Sequence, residues 1–596
     1  MSDQPRNASM HGWTSRLALA LLLATASLTA VADSDVADAL MNGDESRARA
    51  LLLNGADINA AQADGATALH WAVFQQRSDL VNDLLAAGAD VTSATLAGAT
   101  PLSLAASEGD SVIIASLLAA GADPNERLAN GESPLMMAAR NGNTDALKVL
   151  LDAGADVDAR ETLRGTTALM WAAANRNAAA VQLLLARGAN HAAASNTRPP
   201  GRRPYLADTA RDRIKAYHLG VGQAGASIAV NLEGIPQDKE KLERRASGLA
   251  ADVISREQTP TAAPTSDESN DLPTAAQART APQSGGLTAL VFAAREGDLA
   301  SIKALLDGGA DINQATEYGW TALLTATQNR FYVIGEYLLQ HGADPNIANK
   351  GGWTPLYLAT DNRNIEGGDY PTRKPDMDHL AFIQLLLAHG ANPNLRMQSS
   401  TETRTIFTHQ WLHEEGATPF LRAAQSGDTA LMKLLLAHGA DPNINLEDGT
   451  TPLMVAAGIG WVEGVTYEWS AAETLAAAAM LIELGNDVNA QDTVDMRTAL
   501  MGAAHKGRAE VIQLLVDHGA RLDTRDIGSR DSLHTLAGKT WQAIDYADGL
   551  VRVGVQSAVT HPEAAALLRQ MMLAQGLPVP AEGRTLDSIC IVDLCK

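Results

Sequence analysis

The sequence predicts an all-α solenoid, built from helix-turn-helix repeats that stack on one another. Most intervals between copies of a short glycine-containing word are 33 or 34 residues, a period typical of stacked helical repeats. Such a stack grows by adding repeats, so a chain of 596 residues does not need one large core. The word is Gly-Ala-Asp or a near variant, and it begins at Gly55, Gly88, Gly121, Gly154, Gly188, Gly309, Gly342, Gly390, Gly439, Gly485 and Gly519.

The first 32 residues have the pattern of a secretory signal peptide. Arg6 and Arg16 precede an apolar run over residues 17–28, and small residues follow as far as Ala32. The run is shorter than the roughly 20 apolar residues that a membrane-spanning helix needs. No Cys follows it that could carry a lipid. We therefore expect an exported, periplasmic chain, and an uncleaved N-terminal anchor is the alternative.

Each predicted repeat has a turn, a helix, a second turn and a second helix. Thr67 precedes the first helix of one repeat, where its hydroxyl can cap free backbone N–H groups, and the start word Thr-Pro-Leu recurs at Thr100, Thr354 and Thr451. An aliphatic pair then marks the buried stripe of the second helix. The glycine of the closing word ends that helix, where a left-handed backbone is favoured.

These start words and closing words closely resemble the ankyrin repeat. The resemblance covers most of residues 35–578, and His70 keeps the histidine of the family's start word. With an export signal and long insertions, the chain also resembles a group of exported bacterial ankyrin proteins. The resemblance implies hairpin-like fingers between repeats, and a non-catalytic scaffold of the cell envelope that binds folded protein partners through a concave face, the fingers and the later loops.

The irregular intervals predict the domain organisation. The step from Gly188 to Gly309 is 121 residues, which leaves a large insertion between two repeats. The composition of residues 256–286, rich in Pro, Thr, Ser, Ala and Gln, predicts disorder there. We favour one continuous stack, and two tethered arrays are the alternative. The predicted regions are a signal peptide (1–32), a first array (33–196), a largely disordered insertion (197–285), a second array (286–578) and a C-terminal tail (579–596).

Three smaller insertions are predicted within the second array, at residues 361–378, 394–416 and 459–472. They account for intervals of 48, 49 and 46 residues between successive closing words. Loops added to a regular scaffold often carry specificity, so we expect residues 359–475 to form a principal recognition surface. The alternative is tolerated lengthening, because surface loops lengthen at little energetic cost.

Charge and family resemblance together define the expected partners. A formal net charge of −23 disfavours binding to a phosphate backbone, so we expect no nucleic acid as a partner. We also expect protein partners, no small-molecule substrate and no stable membrane insertion after signal cleavage. In the ankyrin family, variable contact positions include the pair that follows Ala-Ala in the first helix. That pair is mostly polar here, which favours a folded hydrophilic partner. The positions are Phe74 and Gln75, Ser107 and Glu108, Arg140 and Asn141, Arg295 and Glu296, Gln425 and Ser426, and His505 and Lys506.

Candidate chemistry is sparse, and we expect no catalytic residue, cofactor or metal. His409 and His413 have the four-residue spacing that places two imidazoles on one helical face, but a third ligand is not evident. A metal-dependent hydrolase using this pair is therefore a minor hypothesis, beside the envelope scaffold and an accessory or protective factor for a periplasmic enzyme. Cys590 and Cys595 are predicted to form a local disulfide, with a metal clip or intermolecular pairing as alternatives.

Overall fold

A computed structural model describes residues 34–197, 285–364, 373–399, 412–461, 467–528, 540–551 and 559–584. These residues form 24 α-helices and one isolated antiparallel bridge, between Ala194 and Thr288. The predicted signal peptide, most of the large insertion, His409, Cys590 and Cys595 lie outside the described residues. Among the described helices, each is too short or too polar to cross a bilayer.

The helices form twelve consecutive pairs, as the repeat period predicts. The first helix of each pair packs on the first helices of neighbouring repeats, and second helices pack on second helices. One apolar core therefore runs through the stack from Val36 to Met572. The pairs are α1 (Asp35–Met41) and α2 (Glu45–Leu53), α3 (Ala68–Phe74) and α4 (Ser78–Ala86), α5 (Pro101–Glu108) and α6 (Ser111–Ala119), α7 (Pro134–Asn141) and α8 (Thr144–Asp152), α9 (Ala168–Ala174) and α10 (Ala178–Ala186), α11 (Ala289–Glu296) and α12 (Leu299–Asp307), α13 (Ala322–Gln328) and α14 (Tyr332–Gln340), α15 (Pro355–Arg363) and α16 (His379–Ala388), α17 (Pro419–Gln425) and α18 (Thr429–Ala437), α19 (Pro452–Ala457) and α20 (Ala471–Glu483), α21 (Ala499–His505) and α22 (Ala509–Asp517), and α23 (Ala543–Ala547) and α24 (Pro562–Ala574).

The start word works as a helix cap. In the third repeat, the hydroxyl of Thr100 accepts a hydrogen bond from the backbone N–H of Ser103 at 3.1 Å, and Pro101 takes the first helical position. In the second repeat, His70 adds a link to the next repeat. Its Nδ1 accepts from the backbone N–H of Thr67 at 3.1 Å, so its Nε2–H donates to the carbonyl of Ala99, also at 3.1 Å.

The closing word forms a turn that ties each repeat to the next. Gly390 has φ 87°, a left-handed conformation that favours glycine. Its carbonyl accepts a hydrogen bond at 2.9 Å from the side-chain amide of Asn346, which lies two residues after the preceding closing word. The Oδ1 atom of Asn346 also accepts from the backbone N–H of Asn392 at 2.7 Å. The same double contact recurs at Asn59, Asn125, Asn313, Asn394 and Asn489.

The stack continues across the large insertion. Ser195 donates its backbone N–H to the carbonyl of Leu287 at 2.9 Å, so residues on either side of the insertion pair as the two arms of one hairpin. Helix α9 packs on α11, and α10 packs on α12. The residues before and after the insertion belong to one compact unit.

The structure refines the positions of the smaller insertions. Helix α15 continues to Arg363, so it includes the first residues of the loop predicted at 361–378. Helix α20 begins at Ala471, within the segment predicted as a loop at 459–472, and is 13 residues long. The insertion at 394–416 lies within a hairpin, because the backbone N–H of Met397 bonds to the carbonyl of Ala417.

The sequence analysis missed a further lengthened hairpin. The backbone N–H of Asp526 donates to the carbonyl of Trp541 at 3.0 Å, and this hairpin leads into the twelfth helix pair. That pair ends at Gly576, which has φ 70°. The sequence signal is the 57-residue interval between Gly519 and Gly576, but no Gly-Ala-Asp word marks its end.

Candidate functional site

The candidate binding surface is formed by the first helices. We call it the first-helix face and define it by the residues four, seven, eight and nine positions after each N-cap. From the second to the sixth repeat, the fourth position holds a large apolar side chain that packs on the core but is only partly buried. An apolar row therefore remains open over five consecutive repeats. Its members are Trp71, Leu104, Met137, Trp171 and Phe292.

Both tryptophans of this row are held in place by their indole nitrogens. Trp71 donates to the side-chain oxygen of Gln62 at 2.7 Å, and Trp171 donates to the hydroxyl of Thr166 at 2.8 Å. The ring of Phe74 meets that of Trp71 edge to face, with 5.9 Å between ring centroids. These contacts fix the aromatic rings before any partner binds, which reduces the entropy lost on binding.

Eight of the twelve predicted contact residues lie on this open part of the face, and all are exposed or half-buried. Phe74 is 59% exposed, whereas Gln75 is held by a hydrogen bond from its amide to the carbonyl of Leu40. Arg295 forms an ion pair with Glu296 at 2.8 Å. Their role in partner binding stays a prediction. The other members of the eight are Ser107, Glu108, Arg140 and Asn141.

The remaining four predicted contact residues are buried, so they do not offer a surface to a partner. Gln425 is 9% exposed, Ser426 0%, His505 2% and Lys506 4%. From the seventh repeat onward, the fourth position after the cap is also buried, as at Leu358, except in the ninth repeat, where Arg422 is half-buried. The physical reason is that segments inserted between the two helices of a repeat fold back on this part of the face. Residues 373–376 contact the seventh repeat, and residues 467–470 contact the eighth, ninth and eleventh repeats.

Residues 467–470, which we call the cover segment, make the contacts that bury it. The indole N–H of Trp469 donates to the side-chain oxygen of Asn364 at 2.9 Å, and its backbone N–H donates to the carbonyl of Ser426 at 3.2 Å. The guanidinium carbon of Arg363 lies 4.4 Å from the centre of the Trp469 ring. The cover segment thus joins the eighth, ninth and tenth repeats.

Glu468 of the cover segment holds two cations of the eleventh repeat. Its carboxylate lies 3.2 Å from Nζ of Lys506 and 2.6 Å from a guanidinium nitrogen of Arg508. Burial lowers the pKa of Lys506 to about 8, although Glu468 opposes that change. Burial acts to raise the pKa of Glu468, but Lys506, a hydrogen bond from Thr474 and Arg508 outweigh it, so the pKa is lowered. At neutral pH this cluster therefore consists of one carboxylate paired with two cations.

Two further buried ion pairs lie under the cover. Arg363 binds Asp428 with two hydrogen bonds, of 2.7 and 3.2 Å, in the planar arrangement that guanidinium and carboxylate favour. Arg422 contacts Asp361 at 3.0 Å and donates to the carbonyl of Asn364 at 2.8 Å. Burial acts to lower the pKa of Arg422, but Asp361 and other groups outweigh it and raise the pKa. These side chains satisfy one another and hold the stack together.

Comparison with known families agrees with this architecture. Models described as "Ankyrin repeats (3 copies)" match residues 102–195, 290–397 and 376–467, one described as "Ankyrin repeats (many copies)" matches 36–85, and one described as "Ankyrin repeat" matches 495–527. Together they cover more than half of the sequence. The chain belongs to the ankyrin repeat family. A search of curated proteins finds no match.

Within the ankyrin framework, the histidines that precede the closing glycines are helix-terminal residues. In each, Nδ1 lies within 3.0 Å of the carbonyl oxygen four residues earlier, so the ring donates to the last turn of the second helix. The residues are His341, His389, His438 and His518. They stabilise helix ends and are not grouped as a site.

The described part of the ankyrin stack holds no group of three potential metal ligands. His413 is exposed, and its predicted partner His409 lies outside the described residues. The ankyrin models indicate no enzymatic family, and ankyrin repeats are generally non-catalytic protein-binding scaffolds.

Sequence reasoning did not find the cover segment. The lengthened interval between Gly439 and Gly485 indicated a loop. It did not indicate that Glu468 and Trp469 of this loop contact other repeats. One usable signal was present at Arg363. Arg363 is the ninth residue after its N-cap, a position where seven other repeats carry glycine. A large charged side chain at this position indicates a contact that the other repeats lack.

Proposed function

We propose that this ankyrin protein is a non-catalytic scaffold of the bacterial cell envelope, and that it binds folded protein partners through the open part of its first-helix face. In the ankyrin family this face is the concave one. The single observation that carries the proposal is the contrast between the two parts of the face. The row from Trp71 to Phe292 is partly exposed, whereas the equivalent residues of the later repeats are covered by the chain itself.

The open part has the composition of a protein-recognition surface. Its rings are amphipathic or apolar and fixed in position, and polar side chains such as Ser107, Glu108 and Arg140 stand beside them. Apolar anchors surrounded by polar groups are the usual arrangement at protein interfaces. The predicted signal peptide supports the envelope location, because the apolar run at 17–28 has the length of such a signal.

We propose a structural role for residues 359–475 in place of the predicted recognition role. Sequence analysis favoured them as a principal recognition surface. Since Asp361, Gln425 and Ser426 are buried in contacts within the chain, we assign the described part of this segment mainly to holding the stack.

Affinity capture from extracts of the native host tests this function. Phe74→Ala removes an exposed ring from the open face, and Leu53→Ala removes an exposed apolar side chain, 88% accessible, from the end of a second helix. We expect Phe74→Ala to reduce recovery of specific proteins by about fivefold or more, as loss of an aromatic anchor does, while Leu53→Ala leaves recovery unchanged. Equal recovery with both variants would refute binding through the open face.

A further inference from the structure

A left-handed backbone conformation recurs at one position of the repeats, and at this position Arg176 has no side-chain contact that would explain why it replaces glycine. In most repeats the ninth residue after the N-cap lies in the turn between the two helices, and seven repeats place glycine there, all with positive φ. Gln76, Arg176 and Arg330 have φ 55°, 62° and 59° at the same position. This left-handed conformation is unfavourable for residues other than glycine, so each of these side chains calls for a compensating role.

Two of the three side chains have such a role within the chain. Gln76 donates its amide to the carboxylate of Glu108 at 3.2 Å. Arg330 is buried, and its guanidinium donates to the carbonyls of Arg373 and Asn362. Arg176 is exposed, and its side chain makes no hydrogen bond or ion pair with the described residues. No side-chain contact with the described residues therefore compensates for the unfavourable backbone conformation of Arg176.

Arg363 occupies the same sequence position three repeats later, as the last residue of helix α15, and it shows what an arginine at this position can bind. Its guanidinium is held by the carboxylate of Asp428 on one side and by the indole ring of Trp469 on the other. A carboxylate and an aromatic ring together satisfy both the charge and the flat face of a guanidinium. On the covered part of the first-helix face, the groups bound to arginine are therefore a carboxylate and an aromatic ring.

The surroundings of Arg176 match that chemistry. Arg140 of the preceding repeat and Arg295 of the following repeat are also exposed, and we call these three residues the arginine patch. Neighbouring helices pack about 8–10 Å apart, so the patch extends over roughly 20 Å. Trp171 and Phe292 of the open apolar row stand in the same repeats. Arg295 pairs with Glu296, whereas Arg140 and Arg176 pair with no carboxylate of the described residues, so in a chain of net charge −23 these two arginines favour an anionic partner.

We propose that the arginine patch binds an acidic peptide segment of a partner protein that carries both a carboxylate and an aromatic side chain. The carboxylate binds the Arg176 guanidinium, and the aromatic ring packs over it beside Trp171, as Trp469 packs over Arg363. This inference rests on the proposed function and names the chemistry of the partner at the open face.

The test uses a fluorescein-labelled peptide with the sequence of residues 467–473, Tyr-Glu-Trp-Ser-Ala-Ala-Glu, and the full chain. Fluorescence anisotropy should detect binding, and Arg176→Gly should weaken it about tenfold, the scale of one desolvated cation–π contact with an ion pair. Replacing both Glu residues of the peptide by Gln, or its Trp by Ala, should each weaken binding about fivefold or more. Raising the salt concentration should also weaken it.

The chosen variant separates binding from folding. Glycine is the residue of seven equivalent positions, so Arg176→Gly relieves an unfavourable backbone and should leave the thermal unfolding midpoint unchanged or higher. Arg187→Gln is the matched control, because Arg187 is an arginine of the same repeat that follows the second helix and pairs with Asp152. It should bind the peptide as the unaltered chain does.

Several results would overturn the inference. These are unchanged affinity in Arg176→Gly, no binding at millimolar peptide, equal binding of a peptide with Lys in place of Glu, or a preference for phosphatidylglycerol vesicles that depends on Arg176. Loss of self-association in Arg176→Gly without peptide binding would assign the patch to a second copy of the chain. If captured proteins depend on Phe74 but not on Arg176, the proposed function stands and this inference fails; if they depend on neither, both fail.

Discussion

The indole ring of Trp469 lies 4.4 Å from the guanidinium carbon of Arg363, and the carboxylate of Asp428 binds the same guanidinium with two hydrogen bonds. These three residues come from three consecutive repeats. Ankyrin repeats otherwise touch only their immediate neighbours, so a contact that reaches beyond them adds cooperativity to the later part of the stack. The inserted segment therefore stabilises the described framework that it covers.

Glu468 and Lys506 should respond differently to removal of charge. Glu468→Gln leaves Lys506 and Arg508 buried without their carboxylate, so we expect a loss of about 3 kcal/mol in the free energy of unfolding. Lys506→Met removes a buried cation while Arg508 still pairs with Glu468, so we expect a change within about 1 kcal/mol. Urea unfolding of both variants at pH 7 measures this difference. Equal destabilisation would show that the cluster does not work as described.

Stability should depend on pH through His379. Burial, with Arg330 and Arg363 nearby, lowers the pKa of His379 from 6.5 to about 4. The unfolded chain then takes up a proton at higher pH than the folded chain does. The contribution of neutral His379 is therefore complete above pH 6.5 and is lost as the pH falls towards 4.

Urea unfolding between pH 7 and pH 4 tests this dependence. His379→Gln should flatten the pH profile in this window, because Gln does not titrate. His389→Gln, at the exposed end of the same helix, should retain the profile of the unaltered chain. If His379→Gln retains the full slope, the dependence arises elsewhere.

A close approach between two repeats should make Gly502 sensitive to substitution. A Cβ atom at Gly502 would lie 2.7 Å from the backbone nitrogen of Ile459. In an open helix, alanine would be favoured by about 1 kcal/mol; here the contact should outweigh that gain and destabilise the chain by about 2 kcal/mol or more. Gly439→Ala is the control, because φ 85° disfavours alanine there but a Cβ atom meets nothing within 4 Å. Denaturant unfolding should rank Gly502→Ala as the more harmful.

The asparagine contacts between closing words should contribute measurably to stability. Asn346→Ala removes one hydrogen bond to the carbonyl of Gly390 and one from the N–H of Asn392, so we expect a loss of about 1–3 kcal/mol. Thr92, at the equivalent position of another repeat, bonds only to Asp90 of its own turn. Thr92→Ala should therefore cost less than Asn346→Ala, and a reversed order in denaturant unfolding would contradict this role.

The repeating part of the fold was predictable because its signals are local. A capping threonine, a proline in the first turn and a glycine with positive φ each act within a few residues, so a period in sequence becomes a period in structure. The continuity of the stack across the large insertion was favoured from sequence, but the pairing of Ser195 with Leu287 that secures it lies in tertiary structure.

The division of the first-helix face into open and covered parts was not predictable. It depends on contacts such as Trp469 with Asn364 and Glu468 with Arg508, which join residues far apart in sequence that carry no shared pattern. The family resemblance placed Gln425 and His505 at contact positions, because it describes a regular stack and not the segments inserted into it. The described structure shows that these positions are buried, within the fold that the sequence predicts.

Photo-crosslinking from the native envelope tests the central claim most directly. A photoreactive phenylalanine replaces Ser107 on the open face, and three chains are compared, the others carrying it at exposed Ala115 of helix α6 or exposed Ala472 beside the cover segment. Recognition through the open part of the first-helix face predicts discrete protein adducts from Ser107 and none from the other two positions. The same adducts from Ala115 or Ala472, or none from Ser107, would contradict it.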